Sequence, residues 1–153
     1  MLYRSITSAA RTLGLTVLAL SVQFVEARAM LEDVTVAADQ GCTVVRVGFD
    51  EPILYQRHFP YESGIELLVF VRPVSIGPAE LAAGLPWEIL SIPPEEDPVL
   101  LSVVFQGDAP GGPYLSVRFT RRVAFKVQQG RDYRSIVISI SDSEMGAPCP
   151  REN

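Results

Sequence analysis

Four cations packed into one short stretch are the most chemically suggestive feature of this chain. Arg118, Arg121, Arg122 and Lys126 all fall within LSVRFTRRVAFKV at 115–127. Guanidinium forks grip carboxylates and phosphates, so such a cluster suits an anionic ligand. The same charges also serve to protect a strand edge from pairing with another chain. No catalytic set accompanies them. His58 is the single histidine. Strand alternation sets it opposite Tyr55, at the surface, and one imidazole makes neither a nucleophile–base pair nor a metal cluster. The carboxylates Asp50-Glu51 and Glu95-Glu96-Asp97 sit in turns, where charge is solvated. GDAPGG at 107–112 lacks the lysine and the following helix of a phosphate loop. The chain is therefore expected to be no enzyme and to hold no metal or cofactor. Tyr61, Trp87, Tyr114 and Tyr133 lie at or near loops, where aromatic faces suit stacking on sugars. Trp87 equally suits plugging one end of a core.

The elements that position these residues follow from period-two alternation. Leu115, Val117, Phe119, Val123, Phe125 and Val127 take one side of the stretch, leaving Arg118 and Lys126 outward. The same pattern occurs upstream in VRVGFDEPILYQR at 45–57, with Val45, Val47, Phe49, Ile53 and Tyr55. At an offset of 70, Val45 falls on Leu115 and Tyr55 on Phe125, while Leu67 falls on Val137 in the strand after the next turn. Each half reads strand, three-residue kink, strand, turn, strand. The kinks are Asp50-Glu51-Pro52 and Thr120-Arg121-Arg122. One such sheet has a bare apolar face and is unstable alone; two copies facing each other bury both.

Further strands are expected near 34–36, at 65–71, at 99–105 and at 133–141. The run IELLVFV at 65–71 is apolar on both faces and reads as a central strand covered on both sides. Between the halves, residues 72–98 are rich in proline and glycine. PAELAAGL at 78–85 fits a turn or two of helix, with Pro78 at its start and Gly84 past its end. The later prolines forbid any long element. Short strands, frequent turn signals and almost no helical periodicity define an all-β fold, a two-sheet β-sandwich built from two similar three- to four-stranded units.

The first 29 residues have the three parts of a secretory signal peptide. Arg4 and Arg11 give a positive start, LGLTVLALSVQFV an uncharged run, and Ala27-Arg28-Ala29 a cleavage site. The apolar run is short against the roughly 20 residues that span a bilayer, so no stable membrane insertion is expected after cleavage. Residues 30–153 then form one domain. Losing three arginines against Glu26 makes it more acidic than the full chain, whose net charge is −5. Such a chain is a poor non-specific binder of nucleic acid. Cys42 and Cys149 invite a disulfide in an exported protein, with two unpaired thiols as the alternative.

The string V-x-V-x-F-x-x-P-x-x-Y at 45–55, followed by a turn and an apolar strand closing in Val71-Arg72-Pro73, resembles the AMIN domain. Residues 115–140 match its other half. The resemblance implies a β-sandwich of two symmetry-related sheets, as found at the front of cell-wall amidases and outer-membrane secretins. It also implies a periplasmic targeting role through peptidoglycan or another envelope partner. The expected function is thus a non-catalytic, exported, peptidoglycan-targeting module, with Arg118, Arg121, Arg122 and Lys126 as ligand contacts. The alternative is an assembly protein that binds an envelope protein by strand addition at an exposed sheet edge.

Overall fold

The computed structural model describes residues 29–39, 41–92, 99–141 and 149. All of the expected signal peptide except Ala29 lies outside the described residues, as do Glu95-Glu96-Asp97 and the tail on either side of Cys149. The described chain forms β1 (Leu31–Asp39), β2 (Cys42–Phe49), β3 (Ile53–Phe59), β4 (Ser63–Pro73), α1 (Pro78–Ala83), β5 (Trp87–Leu90), β6 (Leu100–Gln106), β7 (Tyr114–Gln129) and β8 (Ser135–Ser141). The fold is all-β and antiparallel throughout.

The strands belong to one hydrogen-bonded network, in the order β1-β2-β8-β7-β4-β3, with β6 on β7 and β5 on β6. β7 holds it together. The two strands expected at 114–120 and 123–128 are one element of 16 residues. Its first part pairs with β4 and β6; its second pairs with β8 and keeps two pairs with β4, Ser63–Ala124 and Gly64–Val123. At the expected kink the β4 register jumps from Gly64–Val123 to Glu66–Arg118, so β7 carries extra residues around Thr120-Arg121-Arg122. Such a bulge bends a strand without ending it. Phe49 of β2 and Phe105 of β6, strands that do not pair, meet ring to ring edge-on at 6.1 Å in the core.

Alternation decides what lies between. Val45, Val47, Phe49 and Ile53 are buried, as are Leu115, Val117, Phe119, Val123 and Phe125; Tyr55 and Val127 are half-buried against them. Burial of these aliphatic and aromatic groups is the principal stabilising term. β4 departs from expectation: Leu67, Val69 and Val71 are buried, but Ile65 is exposed and Leu68 and Phe70 only half-buried. β8 is instead the strand covered on both faces, with Ser135, Val137 and Ser139 buried beside Ile136, Ile138 and Ile140.

The register reveals how the two halves correspond. In the first half Val45 pairs with Val36 of β1 and Ile138 of β8. In the second, Leu115 pairs with Phe105 of β6 and Val69 of β4. The third strands also agree, Tyr55 with Val71 and Phe125 with Ile140. Each half therefore has four strands, β1–β4 and β6–β8, with β7 counting twice. In each, the first part of the kinked strand is flanked by the last strand of the other half. The 70-residue offset holds for the two kinked strands as far as Tyr55 and Phe125, beyond which the bulge at Gln56 makes it 69. For the last strand the true offset is 69, so Leu67 corresponds to Ile136, not to Val137. A one-residue slip inverts a strand's faces, so the correction matters.

The connector contains α1 as expected, with Gly77 before it and Gly84 after it at φ 89. The Glu80 carboxylate accepts the Gly77 amide at 3.1 Å. The prolines did not prevent β5, a short strand that the sequence pattern misses. Gly107 lets it approach: a Cβ there would stand 2.3 Å from Leu85 Cβ and 2.6 Å from Pro86 O.

Cys42 and Cys149 form a disulfide across 107 residues of sequence. Closing a loop of that length removes much of the unfolded chain's entropy. Reduction is expected to lower stability by about 2–5 kcal/mol, read as a fall in the urea midpoint with reductant present. An unchanged midpoint would show that the tail is not held by this bond.

Candidate functional site

The face of β5-β6-β7-β4-β3 turned away from the core carries the functional features. Strand pairing lines up Trp87, Gln106, Tyr114, Phe70 and Arg57 as direct neighbours across five strands. At roughly 4.8 Å per strand the row is about 19 Å long. Its contacts are ordered. The Arg57 guanidinium stacks on Phe70 at 4.4 Å, and the Phe70 and Tyr114 rings lie 5.4 Å apart. A cation held over a ring in this way gains about 0.5–1 kcal/mol at an exposed site and loses little freedom on meeting a ligand. Trp87 is 57% exposed at one end. A second row beside it runs Ile89, Val104, Ser116, Leu68, Phe59. Ile89 and Phe59 are exposed as well.

Arg118 stands in the third row of this face, between Ser102 and Glu66. Glu66 accepts a hydrogen bond from the Ser116 hydroxyl at 2.9 Å. The row thus offers one guanidinium beside one oriented carboxylate. Arg121 and Arg122 lie at the β7 bend, and both are exposed. Lys126 is not part of this group. It pairs with Ser139 on the outward face of the β1-β2-β8-β7 strands. Lys126 occupies the place in its half that Arg57 occupies in the other, and its row continues through Ser139, Val44 and Ala37. That row has no aromatic ring. The four expected cations therefore share a strand but not a face. Among the described residues none of the four is in an ion pair.

The expected loop aromatics divide in the same way. Tyr114 is inside the row and Trp87 ends it. Tyr61 is exposed in the β3–β4 turn, and its ring lies 6.4 Å from that of Phe59. Tyr133 is exposed in the β7–β8 turn at φ 56. Trp87 does not plug the core. Sequence reasoning missed Arg57, Phe70 and Gln106. Their outward positions follow from alternation, but their alignment with Tyr114 and Trp87 depends on long-range pairing.

His58 differs from expectation. A bulge at Gln56 between the pairs Tyr55–Val71 and Arg57–Phe70 puts Tyr55 and His58 on one side. His58 Nδ1 and the Tyr55 hydroxyl share a hydrogen bond of 2.6 Å, and Nε2 lies 3.0 Å from the Tyr61 carbonyl oxygen. Burial, helped by Tyr61, raises the Tyr55 phenol above its ordinary range. Both imidazole nitrogens are engaged within the fold. The free edge of β3 is also occupied: Gln129 Oε1 accepts the Tyr55 amide at 2.9 Å, and the Tyr133 carbonyl accepts the Ile53 amide at 2.8 Å.

The turn that presents Tyr133 is built on Asp132. Its Oδ1 accepts the Arg134 amide at 3.0 Å and the Ser135 hydroxyl at 2.9 Å, and its Oδ2 meets the Arg46 guanidinium. Burial acts to raise this carboxyl, but the Arg134 amide, Ser135 and Arg46 outweigh it and hold the carboxyl below its ordinary range. No family model, curated protein or solved structure matches the chain.

A carboxyl held low contributes stability that is present above its unfolded value and lost as pH falls through its folded value. Asp132→Asn is expected to cost about 1 kcal/mol or less at pH 7, since the pair is partly exposed. The difference from the parent should close below about pH 4. Urea midpoints across pH 2–7 check this; a gap that persists in acid would assign the effect to lost turn geometry.

Proposed function

We propose that this chain is a non-catalytic, exported envelope-binding module whose ligand is peptidoglycan. The row Trp87–Gln106–Tyr114–Phe70–Arg57 carries the reading. Peptidoglycan joins sugar rings to short peptides that bear carboxylates. Aromatic faces in line suit the apolar faces of successive sugars, as rigid aromatic surfaces suit other stacked ligands. Gln106 supplies amide hydrogen bonding within the row. Arg57, Arg118 and the Arg121-Arg122 bend suit the stem carboxylates. The paired four-stranded halves agree with the symmetry that the AMIN resemblance implies, and the export leader agrees with a periplasmic ligand.

Strand addition to an envelope protein is the alternative. The free edge of β3 is already satisfied near Ile53 and Tyr55 by Tyr133 and Gln129. A partner strand would first have to displace them.

The test is co-sedimentation of the exported protein with isolated sacculi at low and high salt. Trp87→Ala with Tyr114→Ala is expected to weaken pelleting about tenfold or more, a loss of roughly 1.4 kcal/mol or greater. Replacing Arg118, Arg121 and Arg122 by alanine should remove most of the salt-sensitive part and leave the share of Arg57. Lys126→Ala should change little, because Lys126 faces elsewhere. A folded parent that stays in the supernatant at low salt would overturn the peptidoglycan reading.

A further inference from the structure

Glu88 of β5 points away from the Trp87 row, toward the start of β1. Its two carboxylate oxygens accept from consecutive amides: Oε1 from Met30 at 2.7 Å and Oε2 from Leu31 at 2.9 Å. Met30 is anchored in two further ways. Its carbonyl accepts the Asp50 amide at 3.0 Å, and its side chain is fully buried. Ala29, one residue earlier, is exposed. Met30 is thus the first of the described residues to be built into the domain. It is also the residue that cleavage after Ala27-Arg28-Ala29 turns into a new chain end.

We propose that Glu88 is the receptor for the α-ammonium group of Met30, and that removal of the leader creates an ion pair at the β1–β5 seam. The proposal rests on the export part of the functional reading and is independent of the ligand. Hydrolysis breaks the Ala29–Met30 C–N bond. Water's oxygen goes to the Ala29 acyl carbon, and the amine left on Met30 takes up a proton at neutral pH. The nitrogen that offered one neutral N–H then offers three charged ones, already within hydrogen-bond distance of a carboxylate oxygen. A charge-assisted hydrogen bond is roughly twice as strong as a neutral one, and a half-buried pair is screened less than an exposed one. A carboxylate that merely caps the first amides of a strand would not distinguish a free terminus from an extended one. Because Met30 is buried once the domain has formed, cleavage belongs to the unfolded, exporting chain.

The experiment uses the full chain, exported in a bacterial host with a periplasm. Intact mass is expected to place Met30 first. Lys126 is the only lysine of the chain, so an amine-reactive acetylating reagent has two targets, Lys126 and the new terminus. The folded protein should take up one acetyl group rapidly, at exposed Lys126, and two after unfolding in urea. Inserting Gly-Ser between Ala29 and Met30 leaves an ordinary amide at Met30. It should lower the folding equilibrium constant about tenfold in the parent and less than about threefold in Glu88→Gln. A first residue other than Met30 would overturn the proposal; an intact leader would in addition remove its support for export. A Met30 amine that acetylates in the folded protein as fast as Lys126 would overturn the proposal alone. So would an insertion that costs the same with and without Glu88. Acetylation needs no variant, so the proposal stays falsifiable even if Glu88→Gln fails to fold.

Discussion

The structure depends on one strand that serves two sets of partners. β7 must satisfy β6 with its first half and β8 with its second, and β4 on both sides of its bend, while keeping Phe119 and Phe125 in a common core. A straight strand of 16 residues would span about 50 Å at the usual rise, too far for one small core. The bulge at Thr120-Arg121-Arg122 resolves the conflict. It spares Arg121, which strict alternation would place inward between Phe119 and Val123, from burial. It also leaves two arginines with no ladder role, exposed at the bend. The concentration of charge at this point is therefore partly a consequence of the bulge in β7.

The exchange of last strands between halves gives the protein two outward faces with matched coordinates and different chemistry. Gln106, Tyr114, Phe70 and Arg57 on one correspond to Ala37, Val44, Ser139 and Lys126 on the other. Inward positions are apolar in both copies, because packing constrains them. Outward positions are less constrained, although Ser135, Val137 and Ser139 of β8 are buried on that side too, and there the copies diverge. One row carries two aromatic rings and a stacked guanidinium, the other small side chains. That contrast points to function on the first face more strongly than any residue does alone.

Much of the fold was legible in the sequence because period-two burial is a local signal. Val45 to Tyr55 and Leu115 to Val127 announce their inward sides, and Pro78 and Gly84 bracket α1. The repeat was legible too, although shifted by one residue at its last strand, where Leu67 and Ile136 correspond. β5 was hidden because four residues among prolines carry no pattern. His58 was misplaced because the bulge at Gln56 leaves no mark in alternation. The site was the least legible. The cations on β7 look like one cluster in one dimension, yet Arg118 and Lys126 belong to different faces. The Trp87 row exists only once β5, β6, β7, β4 and β3 are paired.

The disulfide has a mechanical meaning beyond its thermodynamic one. Cys42 begins β2 and is the direct neighbour of Ser141, where β8 ends. Without the bond, tension on the chain beyond Cys149 would reach β8 at its last pair and peel it away one rung at a time. With the bond, that load passes straight into β2, whose two edges are held by β1 and β8. β8 is thereby shielded from a load applied beyond Cys149, and keeps its pairs with both β2 and β7.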